Sequence, residues 1–279
     1  MKSESEITET GTSKTGYKPL YDVIDYLIDL SHKGVAIIIF FILWELLTTV
    51  GIIDSTFIPA PSTIALAAWG MFFSSDFLFD TAVTLSRVFL GLGIALAVGI
   101  PLGYLLGGFF KDFEKAIDPI LQLLGQLNPW SAFHLFIVFL GIGELSVVGA
   151  VFYISLWPIL YSTVSSVKNV DPVLLKVGKA ACIGKFKIFW KVILPSSLPV
   201  VFSGIRLGAL LAFFMATGGE MMGAGDGLGY MIMWYQMYGL IPQMWAVIVT
   251  ISLLGMIFIY MLLRLEKYFT SWKEDITLS

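Results

Sequence analysis

Five ionisable residues, Glu45, Arg87, His134, Arg206 and Glu220, stand within or beside long apolar runs. In such surroundings a charge must pair with another, face a cavity or serve a solute path. The His134 imidazole can donate to an oxyanion, and Asn128 and Ser131 would add polar contacts in a helix loosened by Pro129; packing inside the bundle is the other reading of this histidine. Arg206 either attracts an anion or pairs with Glu45 or Glu220, and Glu45 with Arg87 is the expected structural ion pair. Beyond these residues the chemistry is sparse. The two histidines, His32 and His134, are far apart in sequence, and no Ser/His/Asp grouping, useful acid pair or metal-ligand run accompanies them. Cys182 is the sole cysteine, which excludes a disulfide within one chain and a thiolate cluster. The methionines from Met215 to Met244 have the softness to carry Cu(I), but adaptable apolar packing is the ordinary use of thioethers, and no metal site is expected.

The elements that must position these residues are membrane spans. The chain of 279 residues is 57% hydrophobic and only 13% charged, with a mean hydropathy of +0.87. A soluble domain carries roughly 25% charged residues. Apolar runs over residues 34–53, 82–110, 117–140, 146–164, 193–217 and 245–263 predict six helices, the third broken at Asn128-Pro129. Gly91, Gly99, Gly103 and Gly107 lie on one face of the second, which permits close helix packing. Lys and Arg fall in the N-terminal tail, the second and fourth connections and the C-terminal tail, while the first, third and fifth connections have none. The positive-inside rule then places both termini in the cytoplasm. Residues 1–33 read as a polar tail followed by an amphipathic helix at the inner interface.

The fourth connection is unusually long and basic, with Lys168, Lys176, Lys179, Lys185, Lys187 and Lys191. Asp171 suits an N-cap and Pro172 a first helical turn, so a surface helix is expected to start there and to end before Gly184. A solvated loop that only fixes orientation is the alternative. The run Gly178 to Lys185 superficially matches a phosphate loop, but it has one residue too many between its glycines and Phe186 where a magnesium-binding hydroxyl belongs. ATP binding by this chain is not expected.

The run LLKVGKAACIGKFKIFWKVILPSSLPVVFSGIRLG resembles the cytoplasmic EAA loop of permease subunits of ATP-binding-cassette importers, of the sulfonate, taurine, nitrate and bicarbonate type. Trp44-Glu45, Pro59 to Ser62, Thr84 to Val88, Gly99 to Gly103, Gly141 to Glu144, and Glu220 with Gly227 to Tyr230 extend the resemblance over most of the chain. Two departures stand out: the family's usual glycine and acid fall on Cys182 and Lys176, and His134 precedes Leu135 where proline is usual.

The resemblance implies an all-α, six-helix, type I importer permease fold over residues 34–279, with a coupling loop at 165–192. Lys176, Val177, Gly178, Lys179, Ala180, Ala181, Cys182, Gly184 and Pro195 would make the ATPase-coupling segment. Asn128, Ser131, His134, Arg206 and Glu220 would be candidates for the substrate path. The implied partners are ATPase subunits holding ATP and Mg, a second permease copy or paralogue, an external substrate-binding protein and the bilayer of a prokaryotic inner membrane; no nucleic acid is implied. The cargo would be a small anion. A secondary transporter or channel for a small polar solute is the alternative, although no internal inverted repeat is evident.

Overall fold

In a computed structural model, residues 35–181 and 184–270 are described, and every regular element among them is helical. The predicted tail and amphipathic helix of residues 1–33, and Cys182, lie outside the described residues. The chain divides into two compact units, residues 1–62 and 63–279.

In the first unit α1 (Val35–Thr49) is apolar and carries Glu45. The Glu45 carboxylate accepts from the Ser62 hydroxyl (2.7 Å) and the Ser62 backbone N–H (3.1 Å). Ser62 opens α2 (Pro61–Phe72), where backbone N–H groups lack intrahelical acceptors and an anion is favoured. Glu45 is therefore a cap for the first turn of α2, while Arg87, its expected partner, finds its acids within the second unit.

The second unit holds the remaining elements. α3 (Ser75–Tyr104) continues through a wide π turn, Leu105–Phe109. It starts earlier than hydropathy predicts because the Ser74 hydroxyl accepts from the Phe77 N–H (3.3 Å) and Asp76 complements the helix dipole. α4 (Lys111–Gly125) and α5 (Pro129–Leu140) follow, then α6 (Glu144–Lys168). A short α7 (Pro172–Ala180) leads to α8 (Lys185–Ile188), which passes through a second π turn, Phe189–Ile193, into α9 (Leu194–Gly223). α10 (Leu228–Met237) precedes the last helix, α11 (Ile241–Phe269).

α6 is the centre of this unit. A Cβ added at Gly91 or Gly103 of α3 would stand 2.5 Å from a side-chain atom of Val151 or Thr163, and one at Gly99 or Gly107 would crowd Ile159 or Val167. The predicted glycine face is thus the α3–α6 seam, with the two helices parallel. On its other flank α6 meets α9 antiparallel, where Gly204 lies against Ser162 and Gly208 against Ile159, and the Ser155 hydroxyl donates to the Gly208 carbonyl (3.1 Å). Without water to drive helices together in lipid, this small-residue packing and its interhelical hydrogen bonds supply the attraction.

The predicted third span exists as α4 and α5, bent by 88° at the break. Its partners succeed one another along α6: Glu114 with Lys168, the Leu121 carbonyl with the Tyr161 hydroxyl, the Leu124 carbonyl with the Tyr153 hydroxyl, and the Phe136 carbonyl with the Ser146 hydroxyl. Lys168 to Ser146 covers roughly 33 Å at helical rise, about one hydrocarbon core. The bent pair accordingly runs the full depth as one broken span, and does not turn back as a re-entrant loop. Among the described residues four helices are long and apolar enough to cross a membrane singly, and this pair makes a fifth. α1 opens the described chain as a shorter apolar helix.

Gly103→Val is expected to overpack the α3–α6 seam by about 1–3 kcal/mol and lower the melting temperature of the detergent-solubilised protein. Gly93→Ala, on the same helix but facing open space, is expected to leave it unchanged.

Candidate functional site

Three places gather polar chemistry. The first is a buried charge cluster between the first half of α3 and the C-terminal end of α9. Arg87, 2% exposed, donates from Nη1 to Glu220 Oε1 (3.1 Å) and to the Asp226 carbonyl (2.9 Å); its Nη2 meets the Asp226 carboxylate, and Glu144 lies 3.8 Å away. Glu220 Oε2 accepts from the Thr84 hydroxyl and the Gly229 N–H, both at 2.9 Å. Thr84 in turn accepts from the Leu228 N–H (2.8 Å), and Asp80 from the Gly227 N–H (2.7 Å). Gly227 has a φ of +104°, and a Cβ there would lie 2.5 Å from the Glu220 carboxyl carbon, so only glycine lets the loop close over the acid. Glu220 is thereby committed to holding α3, α9 and α10 together, and its oxygens are not turned to a solute. Beside the cluster a cavity of about 240 Å³ is lined by Asp76, Asp80, Tyr230, Trp234 and Tyr235. Burial pushes the Tyr235 phenol above its usual pKa, and the charges of Asp80 and Asp76 add to the shift.

The second place is the break between α4 and α5. Asn128 caps α5, its Oδ1 accepting from the Trp130 N–H at 2.9 Å, and Pro129 occupies the first turn. A cavity of about 420 Å³ opens here, lined by Gln126, Asn128, Tyr153, Ile154, Trp157 and Pro158 among others. The Trp157 Nε1–H is buried and makes only a weak contact with the Tyr153 hydroxyl. Of the predicted path residues only Asn128 lines this cavity. Ser131 and His134 are exposed, and His134 Nδ1 is 2.7 Å from the Trp130 carbonyl one helical turn back, to which the ring N–H donates. Arg206 pairs with Glu266 of α11 at 3.0 Å, and not with Glu45 or Glu220. Gln126 and Tyr153 escaped the sequence reading because nothing in their spacing sets them apart from ordinary interface residues, and Trp157 reads there as a packing or interface anchor.

The third place is the basic connection. Asp171 Oδ1 accepts from the Val173 N–H (2.7 Å), so α7 has the N-cap and the initial proline that the sequence predicts, and it ends at Ala180. Val173 and Val177 stand one turn apart and, with Leu174, are exposed to 60%, 61% and 44%; Lys176, Ala180, Ala181 and Gly184 are exposed too. Gly178 faces inward, with Ile188 alongside. Pro195 lies in the first turn of α9. Beyond α8 the Phe189 ring packs on Tyr104 and Phe109 at the C-terminal end of α3, and the Tyr104 and Ser197 hydroxyls are 2.7 Å apart. Lys168 Nζ donates to the buried Glu114 at 2.7 Å, tying the base of the connection to α4. α7 thus packs on the π turn Phe189–Ile193, which in turn meets α3 and leads into α9.

Removing one member of a buried ion pair leaves an uncompensated charge. Arg87→Met is expected to cost about 3–5 kcal/mol and to lower membrane levels and melting temperature. Adding Glu220→Gln should recover part of that loss, because Asp226 is 41% exposed and stays solvated. Strictly additive losses would show that the two residues do not interact.

Residues 99–270 match the family described as binding-protein-dependent transport system inner membrane component. The chain is 29% identical over 231 residues to a probable ABC transporter permease of Brucella abortus, covering 83% of this chain and 91% of that one. It is 27% identical to the putative aliphatic sulfonates transport permease of Bacillus subtilis, covering 84% of each chain. Against the bicarbonate transport system permease of Synechocystis it is 30% identical, over 69% of this chain and 72% of that one. A chain of the inward-facing MetNI methionine ABC transporter superposes with a TM-score of 0.61 at 18% identity, covering 69% of this chain and 95% of that chain; this likeness bears on the fold. With the family model spanning most of the described bundle and its basic connection, the chain belongs to the inner-membrane permease components of binding-protein-dependent ABC transport systems.

Proposed function

We propose that this chain forms half of the translocation path of an ATP-driven importer for a small anion of the nitrate, bicarbonate, sulfonate or taurine kind. It sits in a prokaryotic inner membrane with both termini cytoplasmic, beside a second permease copy or paralogue. Two ATPase subunits hold ATP and Mg, and the permease carries no nucleotide site of its own. An external binding protein delivers the cargo. The names of the sulfonate, taurine, bicarbonate and nitrate permeases among its relatives support this cargo class.

The observation that carries the reading is α7. A short N-capped helix outside the spans, exposing a stripe of Val173, Leu174 and Val177 and seated on the π turn beneath α9, suits a docking surface for another subunit. A secondary transporter or a channel has no use for such a helix.

Val177 is exposed, so Val177→Asp should leave the permease melting temperature unchanged while ATPase co-purification falls by tenfold or more. Retention of the ATPase and of full ATP hydrolysis in that variant would contradict the docking role.

A further inference from the structure

We infer that the cavity at the α4–α5 break is a mid-membrane station for the transported solute and binds a small monoanion through neutral N–H donors. This rests on the import reading above. Depth is the first observation: Trp157 lies about 20 Å from the outer end of α6 at helical rise, close to the middle of that helix. Size is the second, since about 420 Å³ holds a small oxoanion together with several waters at about 30 Å³ each.

The lining chemistry is the third. The Trp157 Nε1–H is buried and makes only a weak contact with the Tyr153 hydroxyl, which leaves it able to donate to an oxygen in the cavity. The Gln126 amide makes no hydrogen bond among the described residues. Asn128 spends its oxygen on the Trp130 N–H, which leaves its NH₂ group to donate. Tyr153 gives its hydroxyl proton to the Leu124 carbonyl. Among the described residues no carboxylate and no cation lines the cavity. The guanidinium groups within the spans are engaged elsewhere, Arg87 by Glu220 and Asp226 and Arg206 by Glu266. Surplus donors without an acid favour an anion. The lack of a fixed positive charge keeps its binding weak, as passage requires, since a site on a path must release what it binds.

The test uses the permease with its co-purified ATPase and binding protein in proteoliposomes, measuring ATP-driven uptake of labelled nitrate, bicarbonate, taurine and ethanesulfonate alongside ATP hydrolysis. Trp157→Phe keeps the ring and removes the N–H; Gln126→Leu removes the amide from an exposed position. Each should lower uptake about tenfold while ATPase assembly and hydrolysis stay within twofold of wild type. Gln126→Glu, which places a negative charge in the cavity, should lower uptake further than Gln126→Leu. If Trp157→Phe fails to assemble, the two Gln126 variants decide the matter. A wild type that imports one of these four solutes, each of which carries an oxyanion group, with variants that import it equally well, overturns the cavity assignment and leaves the import reading intact. A wild type that imports none of them overturns both.

Discussion

The architecture depends on how closely α3 and α9 approach α6. In a bilayer, apolar burial gives helices little reason to prefer one another to lipid, so association falls to van der Waals contact and a few interhelical hydrogen bonds. α6 obtains both on opposite flanks. Glycines of α3 sit against Val151, Ile159 and Thr163, and glycines of α9 against Ser162 and Ile159. Any side chain larger than hydrogen at those glycines would separate the helices. The broken α4–α5 span is then laid along the same helix by hydrogen bonds from Tyr161 and Tyr153. α6 is thus a fixed wall against which the other elements are registered.

Charge completes what packing begins. Arg87 and Glu220, both almost wholly buried, join α3 to the end of α9 and draw in the loop at Asp226 and the start of α10. Lys168 with Glu114 fastens the connection before α7, and Arg206 with Glu266 joins α9 to α11. These pairs use up the cations that the sequence offers as anion-binding candidates. What remains for a solute in the interior is a set of neutral dipoles at the helix break, an environment suited to transient holding.

The span pattern, the glycine seam, the break at Asn128-Pro129 and the cap at Asp171-Pro172 were legible in the sequence because each is a local signal. Periodicity, a residue type with special backbone demands or a hydrophobic run suffices to find them. The partners of the buried charges were not legible. Arg87 and Glu220 are separated by 133 residues, and Glu45 was as plausible a partner until α2 took its carboxylate. Arg206 was paired with the wrong acids for the same reason, since Glu266 reads as part of a polar C-terminal end. The π turns at Leu105 and Phe189 and the extension of α9 to Gly223 follow from tertiary packing that propensity does not encode.

The central claim is that this bundle moves its cargo only when another subunit's ATP cycle drives α7. Vesicles containing the purified complex, with ATP and magnesium on the α7 side and loaded binding protein on the other, test it most directly. The account predicts cargo accumulation that stops when ATP is replaced by a non-hydrolysable analogue. Accumulation that continues without hydrolysis, supported by an ion or solute gradient alone, would contradict it.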